Sequence, residues 1–317
     1  MKNNNYIYPL ALTYCPKETV WGGSKLSKLF GKSPAESLGE TWELSVRDDE
    51  NSYIKNGICQ GISLKEYIKT HTGYSGEHFP LLIKFIDAKA DLSIQVHPDD
   101  TFASVIGEKN GKTEMWYIIE AEEDASIIYG SKSGVDINDI KTAVLSGDAE
   151  RVLNRIKVSA GDVIFIPGGM IHAICKGVLV AEIQQNSDTT FRLYDYGRKD
   201  KDGNPRPLHV EQAVKAFKNY TDKEIGDVRF SRSTDFGGGE ILASCNYFTV
   251  AKYNICELTQ FTFADEPFIS LLCIEGGGVV GWSDGEEEIL AGDSFYIPKE
   301  LGSFHISGKL KLLTTTV

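Results

Sequence analysis

The chain lacks the marks of several common protein classes. Its six cysteines (Cys15, Cys59, Cys175, Cys245, Cys256 and Cys273) are scattered and form no C-x-x-C pair. That excludes thiolate zinc ribbons and a disulfide scaffold, and reads as reduced thiols of a cytosolic protein. No apolar run approaches the ~18 residues that a membrane span needs. The opening MKNNNYIYPLAL has neither a long apolar stretch nor a small-residue cleavage site, so residence in the cytoplasm is expected. Basic residues are outnumbered, 33 against 45 acidic, for a net charge of −12. Nucleic-acid binders usually carry the opposite sign, so neither nucleic acid nor membrane is an expected partner. An anionic small molecule would have to be met by locally placed Lys or Arg.

Helical periodicity is also scarce. Three stretches carry it: Ser63 to Thr70 with Ser63 as cap, Asp136 to Ile156 with a break at Gly147, and His209 to Tyr220. What the chain has instead is many short apolar or alternating runs divided by Gly, Asp, Asn and Pro. TWELSV, LLIKFIDA, LSIQVH, MWYIIEA, VIFIP, VLVAEIQQ, FRLYDYG, FISLLCI and SFYIP are examples. Such punctuation predicts a mainly β sandwich or barrel rather than a parallel sheet with alternating helices.

One β-phrase occurs twice. Ala160-Gly161-Asp162-Val163-Ile164-Phe165-Ile166-Pro167 is echoed by Ala291-Gly292-Asp293-Ser294-Phe295-Tyr296-Ile297-Pro298, and each is followed by a histidine, His172 and His305. Upstream, Trp116 to Ala121 is echoed by Leu271 to Gly276. The two anchors lie further apart in the first copy, by about the length of the helical stretch from Asp136 to Arg155. The reading is one β-module used twice, with a helical insertion at about 131–156 in the first. The modules are placed at 1–232 and 233–317.

A Gly-Asp turn, an apolar strand, a Pro stop and a His together resemble the cupin family, a double-sheet jelly roll. The first copy also carries Gln95-Val96-His97 and then Glu114. On a strand, Ser93, Gln95 and His97 share one face, with Ile94 and Val96 on the other. Two imidazoles, a carboxylate and an amide oxygen make a sulfur-free donor set that suits Zn²⁺, Mn²⁺, Fe²⁺ or Co²⁺ alike. The second copy has no such set, and His305 there reads as structural.

Five separated motifs then occur in order: VWGGSKL with GETWELS, PLLIKFIDA with LSIQVHP, GKTEMWYII, IPGGMIHA and AEIQQNSDTTFRLYDYGR. In this the chain resembles the type I mannose-6-phosphate isomerases nearly end to end. The resemblance implies one zinc ion in the first module, bound by Gln95, His97, Glu114 and His172. It also implies Arg192, Lys112 and Glu182 in the active site, with Lys84 as a further candidate. Lys84 and Ser93, the latter from the face it shares with Gln95 and His97, are the candidate substrate contacts. The activity implied is interconversion of mannose 6-phosphate and fructose 6-phosphate by proton transfer through a cis-enediol(ate). Two rivals stand beside it, an iron-dependent cupin oxygenase and a non-catalytic sugar-binding bicupin.

The residues themselves leave alternatives open. Glu182 lies in the apolar run Val178 to Ile183, where desolvation would raise its pKa toward a useful base value; it equally fits a half-exposed strand. Arg192 can stabilise an enediolate, clamp phosphate, or simply pair with Asp188. Lys112 fits either the site or a loop, and Lys84 either the site or a solvated edge. Arg198 and Lys199 are generic anion candidates. Some members of the family carry a histidine immediately before the lysine, where this chain has Gly111.

Overall fold

The computed structural model describes residues 6–48, 50–72, 78–200, 202–232 and 238–317. The architecture is mainly β. A six-stranded antiparallel sheet contains, in spatial order, Val163–Ile166, Glu114–Ala121, Val178–Gln185, Leu81–Ala88, Cys15–Gly23 and Leu38–Leu44, with Leu81–Ala88 also paired to Leu38–Leu44. A five-stranded sheet orders Leu153–Lys157, Ser126–Ser131, Ile171–Ile174, Ile94–Val96 and Phe191–Tyr194. The later part of the chain forms an eight-stranded sheet built on the long strands Phe268–Trp282 and Ser303–Thr316. Its edge strand is Leu10–Ala11, paired with Ser294–Pro298, so the start of the chain is woven into the last sheet.

The sequence echo is an echo of backbone geometry. Gly161 N–H donates to Ile118 O and Gly292 N–H to Cys273 O, both at 2.8 Å. Ile118 N–H donates to Asp162 O and Cys273 N–H to Asp293 O, both at 2.9 Å. The two glycines take nearly the same positive φ, 95° and 94°, which only glycine adopts without strain. The Asp side chains close the turns in the same way, Asp162 on Ser159 N–H and Asp293 on Leu290 N–H. The junction read at 232/233 falls at residues 233–237, which lie outside the described residues.

Strand alternation assigns each face a job. On the five-stranded sheet, Ile94, Val96, Ile128, Ile171 and Ala173 form one apolar face, covered by Ile140, Ala143 and Val144 of helix Ile137–Leu145 and Ala213 and Ala216 of helix Val210–Ala216. That cover leaves the opposite face for polar side chains. On the six-stranded sheet, Ile83, Phe85, Met115, Ala181 and Ile183 join one core with Phe248, Phe268, Leu272, Tyr296 and Leu313 of the last sheet. Each buried side chain of this size stabilises the fold by about 1.5–3 kcal/mol. Lys84 and Glu182, one step along their strands, point away from that core.

Two helical expectations change. Helix Leu64–His71 is present, with Ser63 Oγ accepting the Glu66 N–H at 3.2 Å. Between 136 and 156, however, the helix stops at Leu145, a 3₁₀ turn occupies Ala149–Arg151, and Leu153–Lys157 is a strand paired with Ser126–Ser131. Leu153 and Ile156 fit a helical period, but Arg155 and Lys157 alternate outward around Ile156, after a register shift between Leu153 and Arg155, and the free sheet edge captures the segment. The helix read at His209 to Tyr220 ends at Ala216, because Phe217 is already extended. Helix Asp222–Arg229, unforeseen, opens on a Thr221–Glu224 capping box. Among the described residues no helix is long and apolar enough to cross a membrane.

Candidate metal centre and active-site cavity

Register places the polar side chains. Gln95 pairs with His172 on one side and Arg192 on the other, making a row across the five-stranded sheet. On the six-stranded sheet Glu182 pairs with Lys84 and Trp116, Lys84 pairs with Trp42, and Gln184 pairs with Glu114. Directly opposed residues share a face. The two rows meet inside the sandwich: the His172 and Trp116 rings lie edge to face with centroids 5.6 Å apart. His97 follows its strand by one residue, and its carbonyl accepts the Gly169 N–H at 2.7 Å, tying it to the turn that delivers His172.

His97, Glu114 and His172 form a buried group whose donor atoms lie within 4.8 Å of one another. It is the one such cluster of three among the described residues. Each imidazole faces a backbone carbonyl with Nδ1, His97 toward Thr189 O and His172 toward Met170 O, both at 2.9 Å. Each therefore carries its proton on Nδ1 and turns an Nε2 lone pair inward. The two Nε2 atoms stand 3.6 and 3.3 Å from Glu114 oxygens. Burial holds both rings neutral: His172 falls to about 4, and His97 falls well below its ordinary value, with Lys112 and His172 adding to the effect. Neither Glu114 oxygen accepts a well-directed hydrogen bond. Burial, then Glu182, raises that carboxyl to about 7.

A fully buried carboxylate with no well-directed hydrogen bond, offset on one oxygen by Lys112 at 3.2 Å and facing two imidazole lone pairs, still has donor capacity that a divalent cation would fill. The donor set thus fits a divalent ion, with no sulfur in it. Gln95 extends the set. Its amide nitrogen lies 3.4 Å from His97 Nε2 and 3.5 Å from His172 Nε2, while Ser93 Oγ donates to Oε1 at 3.1 Å. Turning the amide over presents Oε1 to the cluster and Nε2 to Ser93 Oγ.

Beside the cluster lies a cavity of about 190 Å³ lined by Lys84, Ser93, Gln95, Lys112, Trp116, Glu182 and Arg192, among others. The structure therefore brings together every predicted site residue. Lys84 and Lys112 are both buried, on neither a solvated edge nor an exposed loop. Lys84 Nζ lies 3.4 Å from both Glu182 Oε1 and Glu40 Oε2. Trp116 Nε1 donates to Glu182 Oε2 at 2.9 Å. Lys112 Nζ sits 2.9 Å from His97 Nε2 and 3.2 Å from Glu114 Oε2. Asp188 is not held by Arg192; it pairs with Arg47 at 2.9 Å.

The expected rise in the Glu182 pKa does not occur. Burial pushes it up, but Lys84 foremost, then Lys112 and the Trp116 hydrogen bond, outweigh burial and hold it below the usual carboxylate range. Burial likewise opposes the charge on Lys84, and Glu40 and Glu182 override it and keep the ammonium well above its ordinary value. At Gly111, a Cβ would stand 2.6 Å from both Asp100 N and Asp99 C. No histidine fits there without moving that backbone.

Sequence reasoning missed Glu40, Trp42, Trp116 and Arg206 as cavity residues. The spacing of Glu40 and Trp42 in GETWELS was a usable signal, since residues two apart share a strand face, and Trp42 pairs with Lys84 across the sheet. Trp42 Nε1 donates to Glu40 Oε2 at 2.7 Å. Nothing in the sequence marked Arg206.

A β-sandwich with a buried His–Glu–His cluster at the head of an enclosed polar cavity defines a metal-binding cupin. Two family models match: the phosphomannose isomerase type I catalytic domain over residues 10–136, and the mannose-6-phosphate isomerase cupin domain over 240–317. YvyI of Bacillus subtilis strain 168 is 40 % identical over 98 % of this chain and 99 % of its own length. The chain belongs to the type I phosphomannose isomerase family. The crystal structure of a mannose 6-phosphate isomerase from Bacillus subtilis superposes with a TM-score of 0.87 at 39 % identity, covering 98 % of this chain and 99 % of that one. A zinc-bound mannose 6-phosphate isomerase shares the fold, with a TM-score of 0.75 at 16 % identity over 97 % and 99 % of the two chains.

Proposed function

We propose that this chain interconverts mannose 6-phosphate and fructose 6-phosphate, using one zinc ion held by Gln95, His97, Glu114 and His172 in the module at 1–232. The observation that carries the reading is the meeting of Glu182, Lys84 and Lys112 with the His97–Glu114–His172 cluster at one 190 Å³ cavity. Family membership supports the activity over an oxygenase or a non-catalytic binder. The module from 233 to 317 is read as a packing partner. The free thiols among the described residues fit a cytoplasmic enzyme.

Bound there, zinc supplies Lewis-acid polarisation of adjacent sugar oxygens. The chain's own residues do the rest. The Glu182 carboxylate, held ionised by Lys84, takes the proton from C2 of the open-chain aldose. The C2–H electron pair becomes the C1=C2 bond of the enediolate, and negative charge develops on O1. Lys112 stabilises that charge and moves the hydroxyl proton between O2 and O1. The proton on Glu182 returns to C1 and leaves the ketose. Arg192 holds the substrate from the adjoining strand. The walls of Trp116, Ile174 and Leu92 keep bulk water away from the enediolate.

The direct test is turnover of purified, zinc-loaded protein with mannose 6-phosphate, coupled to detection of fructose 6-phosphate. Run in D₂O, proton transfer predicts solvent deuterium in part of the product.

A further inference from the structure

The cavity has an inner and an outer end. Glu182, Lys84, Lys112 and Gln95 line only the inner chamber. Arg192, Arg206, Glu40 and Asp188 line both it and a larger outer hollow of about 760 Å³. A sugar with its reacting carbons at the inner end leaves its phosphate at this mouth. We propose that Arg206, from the turn after strand Phe191–Tyr194, forms with Arg192 the clamp that holds the substrate's phosphate; the inference rests on the isomerase reading above.

The pairing of charged groups at the mouth selects these two. Glu40 is taken up by Lys84 and Trp42, and Asp188 by Arg47 at 2.9 Å. The buried Asp195 carboxylate serves two guanidiniums with one oxygen, Arg198 at 2.6 Å and Arg206 at 3.4 Å. Arg192 Nε is buried and has no hydrogen-bond partner. The outer hollow is also lined by Lys17, Glu18, Glu50 and Asp200, and these carboxylates are engaged as well: Glu50 pairs with Lys17 and Arg47, Asp200 accepts the Asp202 and Asn204 N–H groups, and Glu18 accepts the Ser37 hydroxyl.

Arg198 is the arginine of the YDYGR phrase, but it is engaged elsewhere. It donates to Asp195 Oδ1, to Asp195 O and to Asp91 O, packs on Tyr196, and lines neither hollow. Arg206 is returned to the mouth by its own backbone: its N–H donates to Arg198 O at 3.2 Å, and Lys199 and Pro205 form a bridge. Burial first, and repulsion from Arg192 and Arg198 after it, push the Arg206 guanidinium below its ordinary value. A phosphate dianion between the two forks would relieve that repulsion and accept paired hydrogen bonds.

Kinetics and calorimetry on the zinc-loaded chain test this, with mannose 6-phosphate as substrate and inorganic phosphate as probe. Arg206→Ala is expected to raise KM about tenfold or more with kcat within about threefold, and to weaken phosphate binding by a similar factor. Arg206→Lys should recover part of both. If Arg206 only braces Asp195, the melting temperature falls while KM and phosphate affinity stay within about twofold, and the clamp is overturned. Should Arg206→Ala not fold, Arg206→Gln carries the same thresholds. Phosphate calorimetry reads the clamp apart from turnover: a folded wild-type chain that binds phosphate through Arg206 yet makes no fructose 6-phosphate overturns the isomerase reading alone.

Discussion

Lys84 and Glu182 stand directly opposite each other on neighbouring antiparallel strands, both buried, with Nζ and Oε1 3.4 Å apart. The pairing decides the state of the base. Without Lys84, only Lys112 and the Trp116 hydrogen bond would oppose burial, and the Glu182 carboxyl would move toward its neutral form. With it, the carboxylate is ionised across the neutral range and ready to accept a proton.

Lys84→Met should therefore raise the Glu182 pKa, since the strongest charge opposing burial is gone. The acid limb of the kcat/KM profile should move to higher pH, and activity at neutral pH should fall by about 10²-fold. An unmoved acid limb would show that Glu182 is not the group titrating there.

Arg192→Ala should lower kcat/KM by about 10²-fold, ~2.7 kcal/mol of transition-state stabilisation. Steady-state kinetics beside a melting curve separate this loss from unfolding. A change within about twofold would remove Arg192 from the site.

Chelation should abolish turnover while far-UV circular dichroism stays native. The cluster is built on strands whose outer faces are packed independently of it, and both imidazoles stay tied to Thr189 O and Met170 O. Adding zinc back should restore activity and raise the melting temperature in a concentration-dependent way, because the ion binds only the folded chain. His172→Ala should bring the bound zinc per chain close to zero.

Gly111→His should destabilise the chain by about 1–3 kcal/mol through overpacking against the Asp99–Asp100 backbone. It should not raise kcat. Urea titration and kinetics measure both, and a stable variant with higher kcat would mean that the missing histidine limits this enzyme.

Thiol labelling checks the fold's interior. Cys256 is exposed, whereas burial pushes Cys175 to about 11 and Cys273 to about 12. At pH 8 an alkylating reagent should modify Cys256 rapidly and those two only on unfolding.

Much of the site was legible because strands alternate. Ser93, Gln95 and His97 fall on one face by spacing alone, and the doubled Gly-Asp phrase predicted two turns with matching hydrogen bonds. What spacing cannot supply is register. The pKa of Glu182 depends on a lysine nearly a hundred positions earlier in the chain, so reading its local apolar run gave the wrong direction. Arg206 was invisible for the same reason: its local setting is a polar turn, and only folding carries it to the cavity mouth. At 153–157 the residues fit two periods, and a free sheet edge chose between them.

The most direct measurement is product formation by zinc-loaded protein containing one ion per chain, with mannose 6-phosphate in D₂O. The account predicts fructose 6-phosphate carrying solvent deuterium at C1, with formation lost in Glu182→Gln while zinc content is unchanged. A folded, zinc-replete wild-type chain that yields no fructose 6-phosphate, or a Glu182→Gln variant as active as wild type, would contradict it.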